Sequence, residues 1–573
     1  MSSSKKKINK NVLLLNSFVN ECIKCEEKDS YKINGHLYSD TPIGILSIYS
    51  HLKKELPDVN SNIIDAESLM YQNAWKGTEY CWDLLLKKIT EFNPKIIGLS
   101  QSYYHGSRMF HRTIKKIKEL LPDSIIVGGG NYPTDAVDVA LEDPNLDYII
   151  KSEGEATFVE FVKKYYADED MKSIDGICYN EHQQRMVINP KKVFIKDISI
   201  LPIPDRSVLD MHSYGWGRHV TDRIQPGAHF LTMITSRGCP FKCTFCSNKN
   251  FWGQRIKYRS VEQVVDEMEI LKFKYDADII GFNDDNFFVH KKRAVKIFDE
   301  INRRKLKVKW YAQGGTLVRS LADDEFLGKA LESGLCFLNL AIESGSQKTL
   351  ELIKKPLDLA EANILVNNVK KKYPELYMNS GFIIGFPFET KADIINTFEY
   401  SKKLELDWAV YNNFRPFPGT ELYDTCVEQG IIKKFKFENF DETSQSYGSD
   451  ESHFDGKDWT KKWLMSTMYY YNLDVNFLNS HNLRDGNFKQ ALNDFEYIVR
   501  SFKGHAIAHR QASIAASKLK LLNKAKEHAL EEKKIMSNGS MFHKYYEEFS
   551  IRPILYKEIE RYKENNSEKS VNF

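Results

Sequence analysis

Short apolar runs alternate with amphipathic stretches over the first third of the chain. Asn11–Asn16 is a run of valine and leucine between asparagines. Lys95–Ser100 carries Ile96, Ile97 and Leu99; Ser124–Val127 ends in Gly128-Gly129-Gly130; Tyr148–Lys151 precedes Glu153-Gly154-Glu155. Runs this short, bounded by glycine and polar clusters, predict strands. Between them, Pro42–Lys53 places Ile43, Ile45, Leu46, Ile48, Tyr49 and Leu52 at helical spacing. Met109–Leu121 does so with Ile114, Ile117 and Leu120, and a further helix runs to Tyr166. Strands that alternate with helices predict a mainly parallel sheet covered on both faces.

The fold class is therefore α/β at the start: residues 1–170 are expected to form a flavodoxin-like, Rossmann-type doubly wound domain, with its ligand beyond the carboxyl ends of the strands. Residues 171–228 hold a small hairpin, Ile174–Asn189, and a proline-rich connection, Leu201–Asp205. Residues 229–430 repeat the alternation. Strands are expected at Phe230–Ser236, Ile279–Asn283, Lys307–Gln313, Phe337–Glu343, Asn379–Ile384 and Ala409–Arg415, with helices such as Val261–Phe273 and Lys292–Arg304 between them. Six such units predict a partial (β/α)6 barrel with its chemistry at the strand C-termini. Residues 431–573 read as an all-helical C-terminal domain with a weak tetratricopeptide-like (TPR-like) repeat: Ala491 and Ala525, then Phe495 and Ala529, keep a 34-residue offset. Two degenerate repeats fall below the usual stability minimum, so the expectation is a helical cap on the barrel rather than a peptide-binding scaffold.

Charge narrows the partners. With 81 basic against 78 acidic residues the net charge is +3, and no basic domain stands out, so nucleic acid is not expected. Lys5-Lys6-Lys7 and Lys370-Lys371-Lys372 read as solvated faces. No apolar run approaches the roughly 18 residues a membrane helix needs, and Val12 to Leu15 is too short for a signal core. The expected location is the cytoplasm, where the nine cysteines serve as metal ligands or redox groups rather than disulfides. Cys22-Ile23-Lys24-Cys25 has C-x2-C spacing, but it lies in a charged stretch with no partner pair and reads as incidental.

The cysteines that carry chemistry lie in Thr235-Ser236-Arg237-Gly238-Cys239-Pro240-Phe241-Lys242-Cys243-Thr244-Phe245-Cys246. Three thiolates on one short loop can hold three irons of a [4Fe–4S] cubane and leave the fourth iron open to a ligand. The competing reading is a zinc site or buried free thiols. A structural zinc needs a fourth ligand, usually from a second Cys or His pair, and neither Cys336 nor Cys426 has such a partner nearby.

This C-x3-C-x2-C motif after an apolar strand resembles the radical S-adenosylmethionine (SAM) superfamily. Phe245 matches the aromatic that packs on adenine there. Gly281–Phe287 resembles the end of that family's second strand, Ala341–Ser346 the fourth, with Glu343 approaching SAM, and Gly381–Thr390 the fifth, with Ile383 and Gly385 beside the adenine. Arg415–Thr420 resembles the sixth. The resemblance implies that Cys239, Cys243 and Cys246 bind a [4Fe–4S] cluster and act catalytically: its open iron chelates SAM, and one electron from the reduced cluster generates a 5′-deoxyadenosyl radical. The electron comes from an external donor such as flavodoxin or ferredoxin.

The N-terminal domain resembles that of the cobalamin-dependent (B12-binding) class of these enzymes, through Thr41–Leu46, Pro94–Ser100, Val127–Thr134 and Lys151–Phe158. The implied cobalamin-binding residues are Ser100, Ser102, Gly128, Gly129, Gly130 and Glu153. The Asp-x-His-x-x-Gly motif that ligates cobalt in many such domains is missing. His36 lacks its frame, and His105, after the third strand, reads as structural. A domain retained only to shape the active site stays open beside cobalamin binding.

The resemblance implies a cobalamin-dependent radical SAM methyltransferase acting on an unactivated carbon. The same cofactors also serve cyclisation, rearrangement, epimerisation or C–C bond formation without methyl transfer; a helical-repeat interaction protein with a structural cluster is the remaining alternative. The sequence leaves the substrate open among small molecules of natural-product type, peptides, lipids and phosphonates. Tyr469-Tyr470-Tyr471 and the stretch from Trp459 to Trp463 read as helix packing rather than a substrate wall.

Overall fold

Val12 to Leu15 are buried to the last atom or nearly so in the first strand, Asn11–Asn16 (β1), as a strand covered on both faces requires. The structure, a computed structural model, describes residues 9–24, 31–34, 40–181, 185–215, 220–253, 255–435, 437 and 454–537. Lys5-Lys6-Lys7, Cys25 and His36 lie outside the described residues.

β1 pairs in parallel with Asn60–Asp65 (β2) on one side and Ile96–Ser100 (β3) on the other. Ile125–Gly129 (β4) and Tyr148–Ile150 (β5) extend the parallel sheet. The hairpin Ile177–Glu181 (β6) and Arg185–Ile188 (β7) adds an antiparallel edge, giving the order β2-β1-β3-β4-β5-β6-β7. Alternate residues face opposite layers. Leu13, Leu15, Ile97 and Leu99 meet one core with Trp82 and Phe110, while Val12, Leu14 and Ile96 meet the other with Leu46 and Phe161. The order is that of a flavodoxin-like domain, and it reverses between β1 and β3, where such folds bind ligands.

The second sheet runs Phe230–Met233 (β8), Ile279–Phe282 (β9), Lys309–Thr316 (β10), Leu335–Glu343 (β11), Tyr377–Ile384 (β12) and Trp408–Asn413 (β13), all parallel and in chain order. All six expected barrel strands form.

The C-terminal helices close the opposite end of this barrel from the strand C-termini. Phe230, Ile279, Tyr311, Phe337, Tyr377 and Trp408, at or near the strand starts, share a core with Phe477, Phe495 and Ala512. Helices Phe488–Ser501 and Leu522–Ser537 start at positions that keep the 34-residue offset. Tyr471 stacks on Phe398 with ring centroids 4.4 Å apart, and the Trp459 indole donates to the Glu389 carbonyl at 2.9 Å. These aromatics pack on the barrel flank. No helix among the described residues is long and apolar enough to cross a membrane.

Candidate active site

The loop after β8 is pinned by two aspartates at the end of β9. The Asp284 carboxylate accepts from the Thr235 N–H and hydroxyl, both at 2.6 Å, and from the Ser236 hydroxyl at 2.5 Å. Asp285 accepts from the Gly238 N–H at 2.7 Å. The loop then presents Cys239, Cys243 and Cys246 to a cavity of about 410 Å3 at the C-terminal end of the barrel strands, together with Phe245, Glu343 and Lys355. Gly314 is forced here, since a Cβ would overlap the Asp284 carbonyl oxygen.

The three sulfurs have no further Cys or His beside them in that lining, which suits a cluster with one open iron better than a closed zinc site. Burial raises all three thiols, Cys246 to about 12. A bare thiolate is therefore disfavoured, and a cation is the group that would stabilise it. The buried Oδ1 atoms of Asn248, Asn283 and Asn286, all in this lining, have no hydrogen-bond partner within the chain. Orphaned acceptors of this kind fit a ligand that brings N–H or O–H donors.

Glu343, at the end of β11, takes a left-handed backbone (φ 70°) and lies 3.2 Å from the Lys355 ammonium. Phe245 packs 6.1 Å from the Phe386 ring. Ile383 and Gly385 lie outside this lining. Gly385 turns toward Leu464 and Trp459, and its N–H donates to Glu389 at 2.8 Å.

A cavity of about 360 Å3 lies at the β1/β3 reversal point, between the doubly wound sheet and the barrel. Ser100, Ser102, Gly128, Gly129, Gly130 and Glu153 all line it. The glycines serve different ends. A Cβ on Gly130 (φ +98°) would stand 2.5 Å from the Gln101 carbonyl oxygen, whereas one on Gly129 would meet nothing closer than 3.8 Å. Gly130 is required by the turn itself, and Gly129 leaves space. Glu153 is buried and already paired: it accepts from Lys257 at 2.8 Å and from the Ile195 N–H at 3.0 Å. His105 packs 5.3 Å from the Tyr103 ring, outside the lining.

The barrel supplies part of this wall through Ile234, Arg237, Trp252 and Asn283, and Asn283 also lines the thiol cavity. Sequence reasoning did not single out Arg237, Asn283 or Asp40 as site residues. The available signal was the polar run Asn283-Asp284-Asp285-Asn286 directly after an apolar strand. Tyr104 donates to Asp135 of its own domain and reaches across the seam to Ser247 at 3.1 Å and to the Phe417 ring at 4.4 Å.

Residues 233–401 match the model of the Radical SAM superfamily, and residues 37–162 match that of the B12 binding domain. An uncharacterized methyltransferase of Pyrococcus horikoshii is 31% identical over 397 residues, covering 68% of this chain and 79% of the relative. Cytidylyl-2-hydroxyethylphosphonate methyltransferase of Streptomyces wedmorensis is 27% identical over 61% of this chain and 70% of its own length. In three dimensions the chain is similar to the cobalamin-dependent S-adenosylmethionine radical enzyme OxsB, solved with aqua-cobalamin and S-adenosylmethionine. The TM-score is 0.61 at 14% identity, over 98% of this chain and 81% of that one. With both domain models matched and a relative of that identity and coverage, the chain belongs to the cobalamin-dependent radical SAM enzymes, whose cofactors are a [4Fe–4S] cluster, S-adenosylmethionine and cobalamin.

Proposed function

We propose that this enzyme transfers a methyl group to an unactivated carbon of a small molecule of natural-product type. The observation that carries this reading is Asn283, which lines the thiol cavity and the cavity of the B12-type domain at once. A carbon placed there would face both. Methyltransferases among the relatives support the outcome.

In this reading Cys239, Cys243 and Cys246 hold the [4Fe–4S] cluster; Phe245 and Glu343 face SAM in the same cavity, with Ile383 and Gly385 set back from its lining; and Ser100, Ser102, Gly128, Gly129, Gly130 and Glu153 hold cobalamin. When bound, these groups supply a carbon-centred oxidising radical and a transferable methyl group. The chain's own residues position and shield. Asp284 and Asp285 fix the thiol loop, and Lys355 fixes Glu343. Tyr104, Asp135 and Phe417 close the seam against water. An external donor such as flavodoxin or ferredoxin delivers electrons, and the reducing cytoplasm suits the free thiols. The domain division 1–170, 171–228, 229–430 and 431–573 belongs to this reading.

The test is anaerobic turnover of the reconstituted enzyme with candidate acceptors. Methyl transfer yields S-adenosylhomocysteine and 5′-deoxyadenosine in equal amounts. Deoxyadenosine alone would turn the reading to rearrangement or cyclisation.

A further inference from the structure

Two buried oxygens beside the Asp40 carboxyl, on the barrel side of the first cavity, have no hydrogen-bond partner within the chain. Asp40 precedes the helix Ile43–Glu55 and lines the cavity. Its Oδ1 accepts from the Thr41 N–H and from the Thr232 hydroxyl of β8, both at 2.8 Å. Asn283 stands beside it, anchored through its own N–H to the Met233 carbonyl at 2.8 Å. The Oδ1 of Asn283 and the Oγ1 of Thr41 are both buried without a hydrogen-bond partner, and both residues line the cavity.

Arg237, the guanidinium of the same wall, pairs with Glu155 at 2.5 Å and lies 3.5 Å from Glu153, its Nε and Nη1 otherwise without a hydrogen-bond partner. Burial pushes the Asp40 carboxyl above its ordinary range, and the unpartnered oxygens beside it call for N–H or O–H donors, which an ionised phosphate or carboxylate does not bring. The surrounding lining is apolar, from Leu14, Ile43, Ile45 and Ile234. The edge calls for a broad ligand of apolar faces whose rim offers neutral N–H donors. A corrin ring has that chemistry, since its periphery is fringed with carboxamides. The anionic nucleotide tail has the opposite chemistry and suits the Ser100 and Gly128–Gly130 end.

We infer that Asp40, Thr41 and Asn283 form an acceptor edge for the carboxamide N–H groups of the corrin ring, so that barrel strand β9 helps to hold cobalamin. This rests on the assignment of the first cavity to cobalamin. It makes the corrin site a product of both domains: Asp40 is tied to β8 by Thr232 and Asn283 follows β9, so closure of the site and seating of the ring are one event. A substrate hydroxyl has the same donor chemistry, and a titration without substrate separates the two sources.

The experiment is titration of the full-length protein, with its cluster reconstituted, by hydroxocobalamin alone. Binding is read from the visible spectrum and from corrinoid retained after gel filtration. Each lost hydrogen bond to a buried acceptor is worth about tenfold in affinity. D40N and N283A are each expected to weaken binding about tenfold, with iron content unchanged. T41V exchanges only a hydroxyl for a methyl, and it carries the test if D40N lowers the thermal midpoint. Affinities equal to the unaltered protein in N283A and T41V would overturn the inference and leave the cobalamin reading standing. An unaltered protein that retains no corrinoid would remove both.

Discussion

Arg237 and Glu155 are ion-paired at 2.5 Å across the seam between the two domains, and both side chains are almost wholly buried. Glu155 opens the helix after β5; Arg237 stands two positions before the first cluster cysteine. Lys257 and Glu153, 2.8 Å apart, complete a group of two cations and two anions with no net charge. Desolvation is tolerable only because each charge has its partner.

Removing Arg237 therefore leaves Glu155 uncompensated. R237A is expected to lose about 3–5 kcal/mol of stability, as broken buried pairs do, read from urea midpoints. The double variant R237M/E155M, which removes both charges, should recover most of the loss. A single variant within about 1 kcal/mol of the unaltered protein, the range of an exposed pair, would show that water reaches the seam.

The thiol loop is held by Asp284 and Asp285, not by the cysteines. Replacing Cys239, Cys243 and Cys246 with Ala should leave the circular dichroism spectrum unchanged. The same change should reduce bound iron from about four per chain, the content of a cubane, to background. Iron that survived the triple change would place the cluster elsewhere.

The thiol loop and the glycine run were legible in the sequence because each has a local cause: ligand spacing in one, and a strand end followed by a tight turn in the other. The barrel was legible because six apolar strands recur with helices between them. β2 was not. Asn60-Ser61-Asn62-Ile63-Ile64-Asp65 is an edge strand whose first half is polar and largely exposed, so it carries little apolar signal. The seam was not legible either. Arg237, Asp40 and Asn283 matter through partners far away in the chain, such as Glu155 and Thr232, and no local pattern reports such pairs. The expectation for the glycines was cobalamin binding. For Gly130 the nearer cause is the Gln101 backbone.

That difference separates two neighbouring glycines by experiment. G130A places a Cβ against a carbonyl oxygen in a left-handed backbone, at a cost of about 1–3 kcal/mol. Its unfolding midpoint should fall. G129A meets no atom closer than 3.8 Å but points into the cavity lining. Its stability should hold while hydroxocobalamin binding weakens. Equal loss of stability in both would refute the division of labour.

Glu389 gives the fold a pH dependence of predictable sign. Its side chain is fully buried and accepts from the Gly385 and Phe386 N–H groups at 2.8 and 3.0 Å and from the Thr349 hydroxyl at 3.1 Å. Burial nonetheless raises its pKa from an ordinary 4.5 to about 7. Between those two values the folded chain holds a proton that the unfolded chain has released, so stability falls as pH rises through that window and is flat above it. The full change is at most about 3 kcal/mol. Glutamine keeps an acceptor for the two loop amides, and the Thr349 hydroxyl can turn to donate or accept. The stability of E389Q relative to the unaltered protein should therefore rise by up to about 3 kcal/mol between pH 4.5 and pH 7, measured by urea unfolding across that range. Other titrating groups cancel in the difference. A difference that stayed constant with pH would mean that Glu389 is ionised in the folded state throughout, held by the loop amides rather than by a proton.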